Sequence, residues 1–199
     1  MSLQYYSLEE LIGLIDKPNG SICLQIIQDS RELFMSAPGS THNHQAWPGG
    51  YWDHITDAMN ICVQLYAFLK ETGRLVFLSV MEQFELSDAL LVLYLHDIEK
   101  PWRTNYVDGK LEVVPELKTK VARTSFQAAK LAEYNLELTP NHLNALRYVE
   151  GIRDSDYAAG KRIMWPLGAL CHCCDILSAR AFYDFPFAQG DPWAPGRCY

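Results

Sequence analysis

No apolar run in this chain approaches the roughly 20 residues that a membrane-spanning helix needs. The polar-rich start shows neither the basic nor the apolar region of a secretory signal. Both point to a protein without membrane association and to a cytoplasmic location. Basic residues are the minority: 17 Lys and Arg stand against 24 Asp and Glu, for a formal net charge of −7, which argues against a general nucleic-acid-binding surface. There is no internal repeat, low-complexity tract or Ser/Gly linker to divide the chain. The six cysteines (Cys23, Cys62, Cys171, Cys173, Cys174 and Cys198) sit mostly in apolar helical runs and read as reduced core residues. Cys171-His172-Cys173-Cys174 contains one Cys-x-x-Cys, but no second thiolate pair has zinc spacing and no βαβ pattern accompanies it, so it reads as packing.

What is present is enough apolar content, 49% of 199 residues, for one globular domain with a sizeable core, centred on about residues 41–185. Ser7-Leu8-Glu9-Glu10 is a capping box that opens a short helix, and Lys17-Pro18-Asn19-Gly20 closes it. Ile22 to Phe34 reads as a second helix, and Ser36 to Gly50 as a loop rich in Pro, Gly and His. Tyr51 to Thr72 forms a long helix stopped by Gly73. Its polar stripe of Asp53, Asp57, Asn60, Gln64 and Glu71 lies beside an apolar stripe of His54, Ala58, Ile61, Leu65 and Phe68, so His54 is expected to face inward and Asp57 to face water. Asp108-Gly109 between strand-like residues predicts a small β-hairpin within Tyr106–Val114. Helices follow at about Glu116–Asn135, Pro140–Glu150 with Thr139 as N-cap, and Pro166–Tyr183, while Asp191-Pro192-Trp193-Ala194-Pro195-Gly196 reads as irregular. The expected fold is an all-α helical bundle with one minor β-hairpin.

Two acidic positions disturb this apolar pattern. Ala89 to Leu95 is wholly apolar, with Ser87 as N-cap candidate, and ends in His96-Asp97; Pro101 stops the helix near Lys100, which places the pair in the last turn. Burying a carboxylate and an imidazole there is costly unless a partner compensates both, which a divalent cation can do; the helix C-terminus favours positive charge as well. Asp175 is the sole acid from Trp165 to Ser178 and poses the same problem. It calls for a cation, an arginine partner or a capping hydrogen bond.

The ordered set His54, His96-Asp97, Asp175 resembles the HD superfamily of metal-dependent phosphohydrolases: a histidine, a later His-Asp doublet and a final aspartate, each on a different helix of an all-α bundle. His44-Gln45-Ala46-Trp47-Pro48-Gly49-Gly50-Tyr51-Trp52-Asp53-His54 is similar to one subgroup, which includes 3′–5′ exoribonucleases, in having a Pro-Gly-Gly turn before the first ligand. His96-Asp97-Ile98-Glu99-Lys100-Pro101 is similar to the family's His-Asp-x-x-Lys-Pro run. The resemblance spans about Thr41 to Ala179. It implies a divalent metal ion held by His54, His96, Asp97 and Asp175, a mixed N/O set suited to Mn, Fe, Co, Ni or Zn, with Mg as an alternative. It further implies a hydroxide nucleophile on the metal, with Asp97 steering the attacking water and Lys100 holding phosphate or stabilising developing charge. Lys100 could equally be a solvated helix-end lysine. Arg103 and the loop residue His44 are further substrate-binding candidates, and Lys118 and Arg123 further phosphate holders.

The pattern departs from binuclear relatives at Glu150-Gly151, where a His-Gly-like pair is expected. His142 lies two turns earlier, so a single-metal site, or one tight and one weak ion, is expected, with Glu150 available to a second ion or a water. His42 and His172 stay open between site and scaffold roles, His172 as a partner that orients Asp175. The function expected is hydrolysis of a phosphomonoester or nucleotide by a metal-activated water, on a small phosphorylated substrate, with long nucleic acid disfavoured and a homo-oligomer left open. A 3′–5′ exonuclease or cyclic-nucleotide phosphodiesterase is the alternative; a cluster of Lys118, Lys120, Arg123 and Lys130 beside the pocket would favour the nuclease, whereas the same residues also read as an ordinary solvated helix face. A non-catalytic HD regulatory or binding domain is the second alternative. The aromatic stretches Trp47–Trp52 and Pro192–Trp193 suggest a partner surface or pocket lid.

Overall fold

Helix α1 (Leu8–Ile12) begins where Ser7 and Glu10 close a reciprocal capping box, and it buries Leu8, Leu11 and Ile12. The computed structural model describes residues 4–77, 79–107, 110–152 and 154–184. Helix α2 (Asn19–Ser36) starts earlier and runs longer than the apolar pattern suggested, with a kink at Ser30. Helix α3 (Gly50–Glu71) is followed by a 3₁₀ turn at Val80–Glu82. Helix α4 (Leu86–Leu95) buries every residue from Ala89 to Leu95. Helix α5 (Lys100–Arg103) leads into strands β1 (Thr104–Val107) and β2 (Lys110–Val113). These pair antiparallel in the register Thr104↔Val113 to Val107↔Lys110; the expected Asp108-Gly109 turn lies outside the described residues. After a 3₁₀ turn at Pro115–Leu117 come α6 (Lys120–Glu133), α7 (Pro140–Tyr148) and α8 (Pro166–Ile176), the last running on as a π-helical turn, Leu177–Ala181. The architecture is all-α with one minor two-stranded hairpin.

Helix α4 is the axis of the bundle. It packs on α3, α7 and α8, while α1 and α2 lie across α3 and α4. Each fully buried leucine or valine contributes about 1.5–3 kcal/mol, and α4 supplies Leu90, Leu91, Val92, Leu93 and Leu95. Phe34, Tyr51, Tyr94 and Trp102 form an aromatic cluster at one end of it, with Phe34 edge-on to Tyr51 at 5.3 Å. Helices α7 and α8 approach closely at Gly168, where a Cβ would stand 3.3 Å from the Ala145 Cα. Cys23, Cys62, Cys171 and Cys174 are buried free thiols, whereas Cys173 is exposed; Cys198 and Pro192–Trp193 lie outside the described residues. Among the described residues no helix is long and apolar enough to cross a membrane.

Several local expectations need correction. Ser87 is not the N-cap of α4: Glu85 and Asp88 form the capping box, and the Ser87 hydroxyl instead accepts the Asp16 N–H at 2.8 Å. Pro101 does not end α4; it opens α5, where a missing N–H costs nothing. His96 is therefore the C-cap of α4, and Asp97 lies in the turn beyond it. Asp57 is fully buried rather than facing water. On the same stripe, Asn60 exchanges hydrogen bonds with the Tyr6 backbone at 2.8 and 2.9 Å, and Asp53 accepts the Trp47 indole N–H at 2.8 Å. The chain ahead of α1 and the loop ahead of α3 thus cover a face that looks solvent-directed in the sequence. Phe68, assigned to the apolar stripe, is 59% exposed because α3 runs past the bundle there. The Trp47–Trp52 stretch is mostly a packing device, with Tyr51 in the core and Trp52 under the Arg31 guanidinium.

Candidate metal centre

The first histidine is delivered by a turn that only glycine can make. Gly49 sits at φ +82°, and a Cβ on Gly50 would lie 1.8 Å from the Gln45 carbonyl oxygen. The Pro48-Gly49-Gly50 turn therefore lets the loop close onto the start of α3, with Gly39 N–H donating to the same Gln45 carbonyl at 2.9 Å. One turn into α3, His54 is fully buried. Its Nδ1 is 3.2 Å from the Ser178 hydroxyl, which itself lies 3.4 Å from the His54 carbonyl. When that hydroxyl donates to the carbonyl, its lone pair accepts Nδ1–H and Nε2 keeps its lone pair free.

His96 is held in the same way. Its Nδ1 lies 2.7 Å from the Leu93 carbonyl, which can only accept, so Nδ1 carries the proton and Nε2 faces the cleft. Gln127 of α6 donates to the carbonyls of Leu95 (2.7 Å) and His96 (3.1 Å), satisfying the end of α4.

The two Nε2 atoms meet the carboxylates. Asp175 Oδ1 is 3.2 Å from His54 Nε2 and 3.5 Å from His96 Nε2. Asp97 Oδ2 is 3.8 and 3.2 Å from the same two atoms. His54, His96 and Asp175 can present one ligand atom each within 4.8 Å of one another, a group able to hold a metal ion. Both Nε2 atoms are buried and make no well-aligned hydrogen bond, which is the state of a ligand atom aimed at a cation. Two imidazoles and carboxylate oxygen form a donor set that suits a first-row divalent ion and suits Mg²⁺ least.

The electrostatics are those of a site that demands positive charge. Burial holds His54 below its ordinary value. Burial also opposes protonation of His96, but Asp97 and Asp175 overcome it and raise His96 well above its usual range. For Asp97 burial pushes upward, and Lys100 and His96 overturn that, holding it well below the carboxylate range. Asp175 is likewise pulled down, against burial, by the two histidines. Burial, then the Asp97 charge, raise neighbouring Glu99 to about 7.

Lys100 is not a solvated helix-end lysine. Its side chain is 12% exposed, and its Nζ stands 2.5 Å from Asp97 Oδ2 and donates to the Gly39 carbonyl. The site opens into a cleft of about 480 Å³, which Lys100, His44, Arg103, Arg123, Arg180 and Glu150 also line. The His44 ring lies 4.7 Å from the His54 ring, tilted by 55°, and is bonded to Gln45; burial, then His54 and Lys100, lower it to about 4, so it is neutral at physiological pH. Exposed His42 does not line the cleft.

The remaining candidates have other duties. Glu150 is engaged by Lys120 at 2.7 Å on the cleft rim. His142 Nδ1 accepts the Thr139 N–H at 3.1 Å, so Nε2–H donates to Asp88 at 2.7 Å, away from the cleft. His172 lines the cleft too, but its Nδ1–H donates to the Val149 carbonyl at 2.6 Å and its ring packs on Gly151. Buried Gln45, Ser178 and the Gly39 carbonyl went unread in the sequence, because each acts through contacts between distant segments. Only the Pro-Gly-Gly turn signalled that the loop had to close tightly. Comparison of the chain with family models, with curated proteins and with solved structures gives no match.

Proposed function

We propose that this chain is an HD-type metal-dependent phosphohydrolase acting on a phosphomonoester or nucleotide. The observation that carries this reading is the convergence of His54 and His96 Nε2 on the Asp97 and Asp175 carboxylates, with Lys100 alongside at a cleft mouth. The likeness to the HD superfamily rests on these residues and their order. A divalent ion held by His54, His96, Asp97 and Asp175 would supply a Lewis acid and a water of lowered pKa. Ser178 and the Leu93 carbonyl keep the two imidazoles in the ligating tautomer. Asp97 is ionised and can orient a water by accepting its proton as a hydrogen bond. Lys100, fixed between Asp97 and Gly39, offers its remaining N–H to a phosphate oxygen.

A small substrate is favoured over long nucleic acid. Of the basic row that a nuclease would use, Lys120 pairs with Glu150, and Lys130 pairs with Glu133 and covers the Trp102 ring at 4.9 Å. Arg123 alone of that row lines the cleft.

The test is hydrolysis of a panel of nucleoside monophosphates and aryl phosphates with added Mn²⁺, Co²⁺ or Ni²⁺, by parent and Asp97→Ala protein. Turnover that Asp97→Ala removes while the protein stays folded supports the reading. No turnover in the parent with any metal, and a loss in Asp97→Ala confined to stability, favours a regulatory HD domain instead.

A further inference from the structure

The cleft has a second polar end. Arg103 lies one helical turn beyond Lys100 on α5, so the two side chains rise from the same face about 5–6 Å apart at Cβ. Arg103 and Lys100 both line the main cleft and also a small recess walled by Pro38–Thr41 and Thr104. Arg103 Nε and Thr104 Oγ1 are buried there and have no hydrogen-bond partner among the described residues. Adjacent buried donors left unmatched cost about 1–3 kcal/mol each, and more for a charged group. The recess measures about 20 Å³, enough for one oxygen atom, since about 10–15 Å³ holds a water. It is too small for a sugar or a base.

A second arginine reaches the cleft through the π turn. Residues five apart on an α-helix point about 140° away from one another, which would turn Arg180 from the Asp175 face. The wider turn at Leu177–Ala181 reduces that offset, and Asp175, Ile176, Ala179 and Arg180 all line the cleft. The acids of the cleft are otherwise engaged: Asp97 and Asp175 at the metal centre, Glu150 by Lys120, and Glu99 facing Arg123 at 3.9 Å. Arg103 and Arg180 are left as cations without a carboxylate among the described residues.

We propose that Arg103, Thr104 and Arg180 form a second anion subsite, and that the substrate carries two phosphoryl groups, one at the metal centre and one here. This rests on the phosphohydrolase reading for the first group but not for the second. The planar Arg103 fork matches two phosphate oxygens, and Thr104 Oγ1–H can donate to an oxygen seated in the recess.

Calorimetric binding of orthophosphate, pyrophosphate and adenosine 3′,5′-bisphosphate to the purified protein tests the subsite without turnover. Expected is a preference of tenfold or more for one two-phosphate ligand over orthophosphate, reduced about tenfold in Arg103→Gln, with metal content unchanged and the thermal midpoint not lowered. A preference for pyrophosphate indicates linked phosphates, and one for the bisphosphate indicates separated phosphates; both support the subsite. Equal binding of all three, or a preference that survives Arg103→Gln and Arg180→Gln, overturns it. Where the Arg103-dependent preference holds in protein that hydrolyses nothing, the hydrolase reading fails and the subsite stands. Turnover of monophosphates with no such preference is the reverse.

Discussion

At the scale of single residues, the centre works by removing choices. Each histidine has one nitrogen committed to a protein acceptor, and the other is pressed against carboxylate oxygens that need a counter-charge. Asp97 and Asp175 raise His96 well above its usual range, so protons and metal compete for its Nε2. Metal uptake measured by titration should therefore weaken as pH falls. Lys100 supplies a counter-charge without occupying a ligand position. Lys100→Met is expected to lower turnover about 10²-fold, the usual size for one charge-stabilising donor, while elemental analysis shows the metal retained. Loss of metal in that variant would make Lys100 a scaffold for Asp97 instead.

At the scale of elements, the site depends on how three segments end. The loop ahead of α3, the C-terminus of α4 and the π turn after α8 meet at Gln45, His96 and Ser178. Gly50→Ala forces a Cβ onto the Gln45 carbonyl, and overpacking of this kind costs about 1–3 kcal/mol or more. A lower thermal midpoint together with weaker metal retention is expected; an unchanged midpoint would show that the loop has slack. Away from the site, the α4 cap is joined to α7 by Asp88 and His142. Burial pushes Asp88 up, but the His142 and Glu85 hydrogen bonds pull its folded value below the ordinary 3.8. A depressed acid stabilises above its unfolded value and loses that contribution as pH falls through the folded one. The parent should thus lose stability below about pH 4, and Asp88→Asn, less stable by about 1–3 kcal/mol at neutral pH, should show a flatter acid limb in thermal melts.

What the chain disclosed in advance follows the same division. His96-Asp97 and Asp175 stood out because a polar group in an apolar run is costly wherever the run packs, whereas His54 was singled out by the resemblance. The inward face of His54 followed from helical period alone. The burial of Asp57 was not legible, because its polar stripe is covered by segments outside the helix, Asn60 by the distant Tyr6 and Asp53 by the Trp47 loop. Lys100 was ambiguous because Pro101 reads equally as a stop for one helix and a start for the next. The π turn carries no composition signal, so Arg180 went unremarked.

At the scale of the whole molecule, α4 fixes the geometry by being buried all round, and α3, α7 and α8 are placed against it. The candidate ligands on α3, at the end of α4 and on α8 are thereby held by the core itself. An ion that binds the folded chain only must then stabilise it, by about 2.7 kcal/mol at a hundredfold excess over its dissociation constant. The thermal midpoint should rise with added Mn²⁺ or Co²⁺ in the parent and stay flat in His54→Ala. The most direct measurement is elemental analysis of freshly purified protein beside Asp175→Ala. About one equivalent of a first-row metal in the parent, lost from the variant, is the expected result. A parent that carries none, and takes up none from Mn²⁺, Fe²⁺, Co²⁺, Ni²⁺ or Zn²⁺, would contradict the metal centre.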